Sequence, residues 1–400
     1  MEYSTLEPWQ EYDENGVVYE LGSLFERFQR LTDPRKARGK RYSLVTLLVI
    51  ILLAKLCGQN TPVEIADWAR NHAQELTQLL KLKRSWMPHH NTIRRVFHHI
   101  LDEAEFERLM RHYSQQRAGG GEVLAMDGKT LRGTRIADEK PADHVLSVYD
   151  VEAQRVVAQE AMDQKENEIV AAPEALEQVT IEGKIITADA MHAQRALSAE
   201  IVGRGGDYLW VVKENQERLY QDIQRLFAPQ KPKPGFGKIT TDFQQAAQVN
   251  KGHGRLEKRC IQTSAMLNDY LDWPGIGQVY RLERSFTWIR RGQTIKTSHK
   301  VEYGITSLLR EKASPKRLMQ IRRKHWLIET GLHYRRDVTF REDATRMTKG
   351  AAGRILATIH NLVLALITQA GFHNAAQARR WFAGHIDQAF ALLISGNSRL

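Results

Sequence analysis

The stretch 123-VLAMDGKTLRG-133 runs from apolar and small residues straight into Asp127, after which come a glycine and several basic residues. A second strand-like run, 184-KIITADA-190, carries Asp189 near its end in the same way. One such aspartate is usually a turn former, but the repeated arrangement favours a site, because the carboxyl ends of neighbouring parallel strands meet at one edge of an open α/β sheet. We therefore predict that Asp127 and Asp189 lie together, where two hard oxygen donors suit magnesium or manganese.

More strand-like runs surround these two, together with one helical segment. The strands are predicted at 145–150, 155–162 and 207–213, and the helix at 168–179. A helical crossover is what a pair of parallel strands needs. The sequence therefore predicts an α/β fold whose sheet is at least partly parallel.

Two further regions follow the predicted sheet along the chain. Runs with strand character between Lys213 and Leu308 predict a β-rich insertion that is attached to the sheet rather than an enzyme domain of its own. Helical patterns then return at 314–338, 349–371 and 375–394, so the chain is expected to end in C-terminal helices.

The residues before the sheet are predicted to be helical. The run 44-LVTLLVIILLA-54 is too short to cross a bilayer, which needs about 20 residues, and is typical of a buried helix. In 88-PHHNTIRRVFHHI-100 a helix would expose Arg94 and Arg95 while its apolar residues pack inward. Short helices with a basic one late in the set suit a DNA-binding domain, which we place at 21–115 after an N-terminal tail at 1–20.

Composition supports an anionic partner. The 400 residues include 58 lysines and arginines against 47 acids, a formal charge of +11. Such an excess favours nucleic acid over a membrane surface, although many basic proteins bind no polyanion. The two cysteines match no zinc or redox motif, and the acidic N-terminus does not resemble a secretory signal, so we expect a reducing, cytoplasmic location.

Two divalent ions about 4 Å apart need a third acid, and Glu329 is the best candidate. On a helix with 3.6 residues per turn, Arg322, His325, His333 and Arg336 all fall within about 40° of it. One carboxylate then sits in a narrow basic stripe, although a solvated salt-bridge face would also look this way. The alternatives for the third acid are Asp337, Glu342 and Asp343.

Several motifs taken together resemble a known family, the DDE transposases of bacterial insertion sequences, in their H-repeat-associated branch. The motifs are 125-AMDGKTLRG-133, 187-TADAMHAQ-194, 208-YLWVVKENQ-216, 252-GHGRLEKR-259 and 325-HWLIETGLHYRRDVTFREDATR-346. With the helical region from about Leu21 to Tyr113, the resemblance spans nearly the whole chain.

The resemblance implies an RNase H-like catalytic domain at 122–212 and 309–371, interrupted by the insertion at 213–308 and followed by a helical segment at 372–400. It implies that Asp127, Asp189 and Glu329 form the catalytic triad. These residues would bind two Mg²⁺ ions, with Mn²⁺ able to substitute.

The implied activity is metal-dependent cleavage at transposon ends, followed by attack of the freed 3′ hydroxyl on target DNA. The implied partners are the terminal inverted repeats and the target duplex, with no membrane. Pairing of two ends suggests a homodimer, by analogy only.

Related branches carry a Y-x2-R-x3-E-x6-K signature around the glutamate, in which the other residues serve the DNA end. The matching positions here, Arg322, His325 and Arg336, keep the cationic character but lack the tyrosine. A solvated surface role is about as plausible as a phosphate contact for the remaining cations. The predicted DNA contacts are Lys129, Arg132, His253, Arg255, Arg322, His325, His333, Arg336, Arg94 and Arg95.

Two other functions fit the same sequence. A metal-dependent nuclease that cuts without joining would share the triad chemistry. A domesticated, catalytically silent DNA-binding protein would be free to lose any of the three acids, so the complete set speaks against it.

Overall fold

The computed structural model describes Glu7 and the ranges 9–38, 40–118, 120–162, 168–229, 241–252, 254–290 and 293–396. It shows a mixed α/β fold built around one large sheet of nine strands. Helices cover both faces of this sheet.

The N-terminal region consists of helices that follow a short hairpin, which the sequence did not reveal. The hairpin pairs β1 (Gln10–Tyr12) with β2 (Val18–Glu20). The helices are α1 (Leu24–Gln29), α2 (Leu44–Leu56), α3 (Pro62–Asn71), α4 (Ala73–Leu79), α5 (His90–Arg95) and α6 (Glu103–Arg117), and a π-helical turn at Val96–Ile100 follows α5.

The sheet begins with the strands that the sequence predicted. They are β3 (Val123–Leu131), β4 (Asp143–Asp150), β5 (Arg155–Met162), β6 (Ile185–Ala188) and β7 (Asp207–Val212), with α7 (Glu168–Glu177) and α8 (Arg195–Gly203) between them. Strands β3, β4 and β5 are mutually antiparallel, whereas β6 runs parallel to both β3 and β7. The predicted, partly parallel sheet is confirmed.

One expectation about this sheet is wrong. The sequence suggested that the first strand ends at Asp127, but β3 continues to Leu131 because β4 stays hydrogen-bonded to it as far as Asp143. On its other side β3 pairs with β6 over three residues only, and the last pair is Ala125 with Thr187. Asp127 therefore lies within a strand that has lost its parallel neighbour.

The region between β7 and the later helices extends the same sheet. Helix α9 (Glu217–Phe227) precedes four strands, β8 (Gln244–Gly252), β9 (Arg255–Ser264), β10 (Gln278–Arg290) and β11 (Gln293–Thr306). The last of them, β11, pairs antiparallel with β7, which gives the sheet order β5-β4-β3-β6-β7-β11-β10-β9-β8. Helix α9 and strand β8 were not predicted.

The C-terminal part is helical, but its first helix is not continuous. Helix α10 (Pro315–Ile328) passes into π-helical turns at Glu329–His333 and Arg335–Thr339, where the sequence predicted one regular helix to residue 338. Helices α11 (Ala352–Gln369), α12 (Ala375–Phe382) and α13 (Ile386–Ile394) follow.

The N-terminal helices share a core with the C-terminal ones. All thirteen residues of α2 are buried, and their cluster includes residues of α11, α12 and α13 as well as α10. Helices α7, α8 and α9 cover the opposite face of the sheet through a second cluster. The N-terminal region therefore packs as part of one body with the sheet.

One described helix is long and apolar enough to cross a membrane by length and composition alone. It is α11, and 83% of that segment is buried inside the protein. A helix packed on all sides by its own chain passes the same test as a membrane span.

We predict that Gly304→Ala destabilises the protein by about 1–3 kcal/mol, the usual cost of overpacking. Gly304 lies on β11 where the insertion joins the sheet, and a Cβ there would collide with the Trp210 carbonyl and the Tyr280 ring. Urea denaturation of the full chain measures the change.

The control is Gly252→Ala on β8, where an added Cβ meets no described atom within 4 Å. This substitution should leave stability unchanged or slightly higher, since alanine suits a strand better than glycine. Equal effects at both positions would contradict the tight junction between β7, β11 and β10.

Candidate active site

Asp127, Glu329 and His333 form a compact cluster at the point where β3 loses its parallel neighbour. One ligand atom from each lies within 4.8 Å of the others. His333 Nδ1 is 3.2 Å from Asp127 Oδ2 and 3.8 Å from Glu329 Oε2. Asp127 and His333 are largely enclosed, whereas half of the Glu329 side chain is exposed. The cluster thus opens to solvent on the Glu329 side.

Charges in this cluster are strongly coupled. Burial raises the pKa of Asp127, although His333 opposes the shift. The nearby His333 lowers the pKa of Glu329 to about 2. Burial alone would lower the pKa of His333, but its two carboxylate neighbours outweigh burial and raise it. Acids with strongly perturbed pKa values are often found at functional sites.

Asp189 follows directly after β6, and the strand register puts it level with Asp127. Ala125 of β3 is paired with Thr187 of the adjacent parallel strand β6. Asp127 and Asp189 each lie two residues after this pair. Such strands run about 4.8 Å apart. Asp189 is exposed, and its charge acts on both Arg322 and His325 of α10. The common edge predicted for the two aspartates is therefore present, although Asp189 is not one of the three residues of the cluster.

The π-helical turn determines where Glu329 and His333 point. The Tyr334 N–H donates to the Glu329 carbonyl, an i to i+5 bond that widens the turn beyond 3.6 residues. The angles predicted for a regular helix do not apply beyond Ile328. Both side chains nevertheless face Asp127, and π-helical turns often occur at functional sites.

The three rival acids are held in ion pairs. Lys129 Nζ is 2.5 Å from Asp337 and 3.8 Å from Asp343. Glu342 is buried and bonds Arg336 at 2.8 to 3.0 Å. Glu342 also contacts His360 Nδ1 at 2.6 Å. None of the three joins the cluster around Asp127, so the geometry favours Glu329 as the third acid.

Two predicted DNA contacts are corrected by their burial. Arg336 is fully buried in its pair with Glu342 and has no surface to offer a phosphate. Lys129 is also buried, and its ammonium group is already engaged by Asp337. Both cations stabilise the loop after the cluster instead.

Three more predicted contacts lie beneath the site rather than on its surface. Arg322 is buried and bonds Glu302 of β11 at 2.7 and 3.2 Å. His325 is buried against Thr187 at 3.2 Å, and burial together with the charge of Arg322 lowers its pKa to about 4. His333 belongs to the carboxylate cluster. His333 contacts two of the acids, and the burial of all three side chains speaks against a DNA contact.

The remaining predicted contacts are accessible where the structure describes them. Arg132 exposes 79% of its side chain near Asp343, and Arg255 lies over the Phe286 ring. His253 lies outside the described residues. Arg94 and Arg95 are exposed on α5, as predicted.

The sequence did not reveal which residues line a cleft together with Arg94 and Arg95. The two arginines line a cleft of about 420 Å³, and its far wall comes from the loop that follows the candidate active site. Among the residues that the structure describes, no acid lines this cleft, and the lining consists of Asn91, Arg94, Arg95, His98, His99, Arg346, Thr348 and Lys349. A short basic segment, 346-RMTK-349, was the only signal in the sequence.

Comparison with known proteins gives consistent matches over the chain. A family model described as "Transposase DDE domain" matches residues 118–366, and one described as "DDE_Tnp_1-associated" matches residues 25–114. The Escherichia coli K12 protein named "H repeat-associated putative transposase YhhI" is 28% identical over 95% of this chain and 100% of its own length. "H repeat-associated putative transposase YbfD" of the same strain is 32% identical over 60% of this chain and 93% of its own length.

Among solved structures, a cryo-EM structure of the piggyBac transposase synaptic complex with hairpin DNA is similar at a TM-score of 0.45 and 9% identity. The alignment covers 92% of this chain and 78% of that one.

We predict that Glu342→Gln destabilises the fold by about 3–5 kcal/mol, because it leaves the buried Arg336 without its carboxylate. Glu329→Gln should cost under about 1 kcal/mol, since Glu329 is half exposed and its contact with His333 is long, at 3.8 Å. Thermal and urea unfolding of the two variants distinguish a structural acid from a functional one. Equal destabilisation would contradict this division.

Proposed function

The chain belongs to the DDE transposase family, as its motifs suggested, and we propose that it is a DNA transposase that cuts transposon ends and joins them to a target. The observation that carries the proposal is that Asp127 and Glu329 lie in one cluster. Asp189 lies level with Asp127 on the neighbouring strand. These three residues are the proposed catalytic triad.

The strand arrangement supports an RNase H-like catalytic domain at 122–212 and 309–371. Three antiparallel strands, β5-β4-β3, are followed by two parallel ones, β6-β7, in that spatial order. We assign 213–308 as its β-rich insertion, 21–115 as the DNA-binding region and 372–400 as a C-terminal helical segment. Because α2 packs on α11 to α13, these regions are functional assignments within one packed body.

The donor atoms fit divalent metal. Carboxylate oxygens suit Mg²⁺ and Mn²⁺, and Asp127, Asp189 and Glu329 supply them at one edge of the sheet. When bound, two such ions would activate a water or a 3′ hydroxyl and offset charge on the scissile phosphate. We propose Mg²⁺ as the natural ion, with Mn²⁺ able to substitute.

The surrounding residues would hold the three acids in place. They would also leave the negative charge of these acids available for metal ions. His333 lies against the Asp127 carboxylate and fixes its direction. Arg322 is neutralised by Glu302, and Lys129 by Asp337, so neither cation directly pairs with the triad. The acids therefore remain available for cations while the enclosed side of the site excludes water.

Double-stranded DNA is the proposed partner. The acid-free cleft of Arg94, Arg95, Arg346 and Lys349 can hold a phosphate backbone on the surface next to the candidate active site. Arg132 comes directly after the strand that carries Asp127, in a short 3-10 helical turn, and the exposed Arg255 is a further cation on the insertion. Two copies would act together, each on one transposon end.

We predict that Asp127→Asn, Asp189→Asn and Glu329→Gln each lower cleavage of a cognate end by at least about 10²–10³-fold, as loss of a central electrostatic group does. Folding and DNA binding should survive, because each change keeps shape and removes one negative charge. A labelled end incubated with a plasmid target, in Mg²⁺ and again in Mn²⁺, measures both cleavage and joining.

Asp337→Asn is the matched control and should be much milder, since Asp337 pairs with Lys129. Full activity in Glu329→Gln with loss in Asp337→Asn would show that the wrong acid has been assigned. Cleavage without joined product in the wild type would favour a nuclease, and no cleavage would favour a silent DNA-binding protein.

We also predict that Arg94→Ala and Arg346→Ala weaken DNA binding by the full-length protein. Each should reduce the slope of log affinity against log salt by about 0.9, the effect of one lost phosphate contact on duplex DNA. Arg225→Ala is the control, because Arg225 is 75% exposed on α9, away from the cleft. An unchanged slope in both cleft variants would place DNA elsewhere.

A further inference from the structure

A second buried ionic cluster lies directly across the sheet from the candidate active site. Glu168, at the start of α7, is 2.8 Å from His144 Nε2 of β4 and 3.4 Å from His192 Nε2. All three side chains are at least 96% buried. His144 uses its other ring nitrogen on Thr130 of β3, at 3.0 Å. One carboxylate thus connects three separate segments of the fold.

Each histidine leads to a segment that carries a proposed catalytic aspartate. The His192 backbone N–H donates to the Asp189 carbonyl at 3.0 Å, so the ring and Asp189 belong to one short turn. On the other side, Gly128 follows Asp127, and a Cβ at Gly128 would come within 2.5 Å of both Glu168 and His144. The β3 backbone therefore rests directly on the Glu168–His144 pair.

Strand geometry explains why the two clusters face opposite ways. Ala125 packs into the core shared with α10, whereas Leu124 and Met126 pack into the core formed by α7 and α8. Successive residues of a strand alternate between faces. Asp127 thus points toward Glu329, and position 128 points toward Glu168.

The burial of this carboxylate is costly and needs a compensating arrangement. An isolated buried charge costs several kcal/mol, and it persists only where partners satisfy it. Burial acts to raise the pKa of Glu168, but the two histidines outweigh it and lower the pKa to about 2. The carboxylate is therefore ionised, and it attracts both histidines and the segments attached to them.

We propose that Glu168 is a positioning residue that fixes the spacing of Asp127 and Asp189 by binding His144 and His192 behind the sheet. The proposal rests on the proposed function of the two aspartates. Its action is indirect, since Glu168 lies on the face away from Glu329. Loss of such a supporting partner typically weakens metal binding or activity about 10- to 100-fold.

The test is titration of the full-length protein with Mn²⁺, with the free ion followed by electron paramagnetic resonance. Glu168→Gln keeps the volume but removes the negative charge that faces both histidines, so Mn²⁺ should bind about 10- to 100-fold more weakly. His192→Leu should reproduce this defect. His192→Gln should restore binding, because its amide nitrogen can reach Glu168 from the same place as Nε2.

Glu257→Gln is the matched control, since Glu257 is a similarly buried glutamate paired with Arg259 at 2.6 Å on β9. It should lower stability without changing Mn²⁺ affinity. If Glu168→Gln does not fold, the contrast between His192→Leu and His192→Gln decides. Wild-type Mn²⁺ affinity in Glu168→Gln, or equal affinity in the two His192 variants, would overturn the proposal.

The same titration separates this proposal from the function on which it rests. A wild type whose Mn²⁺ binding is unaffected by Asp127→Asn would overturn the metal site itself, and the positioning role with it. A wild type that binds Mn²⁺ through Asp127, with Glu168→Gln unchanged, would overturn the positioning role alone.

Discussion

The short parallel ladder between β3 and β6 is the constraint on which the site depends. Three residue pairs, ending at Ala125 and Thr187, fix the relative height of two strands. Beyond them β6 ends while β4 keeps β3 extended, so Asp127 and Asp189 emerge at equal depth on an open edge. A slip of one residue would turn Asp127 to the opposite face, away from Glu329.

Burial divides the charged residues near this edge into two groups. Arg336, Arg322 and Lys129 are enclosed, and each has a carboxylate partner that compensates its lost hydration. Glu329 stays half exposed, next to His333 and Asp127. A chain with a net charge of +11 can therefore keep an acidic site, because these lysine and arginine side chains are already paired with other carboxylates.

The shared core relates the proposed DNA surface to the proposed triad. Helix α2 packs on the C-terminal helices, and the His98 ring meets the Lys349 carbonyl at 3.4 Å. Lys349 lies in the segment between the π-helical turns, which begin at Glu329, and helix α11. Arg94 and Arg95 are thus held at a fixed distance from the acids, because a close-packed interior allows little relative movement of its parts.

The sequence by itself determined the principal strands, the helical ends of the chain, the family and the three acids proposed as a triad. These followed from local signals: apolar runs that end in aspartate, helical periodicity and contiguous motifs. It could not tell that Arg336 is buried, that Glu329 begins a π-helical turn, or that Glu168 meets His144 and His192. Those features depend on residues far apart in the chain, such as Lys129 with Asp337 across 208 positions. Only tertiary packing decides which charges lose their water, and so which cations become internal partners and which remain free to bind DNA.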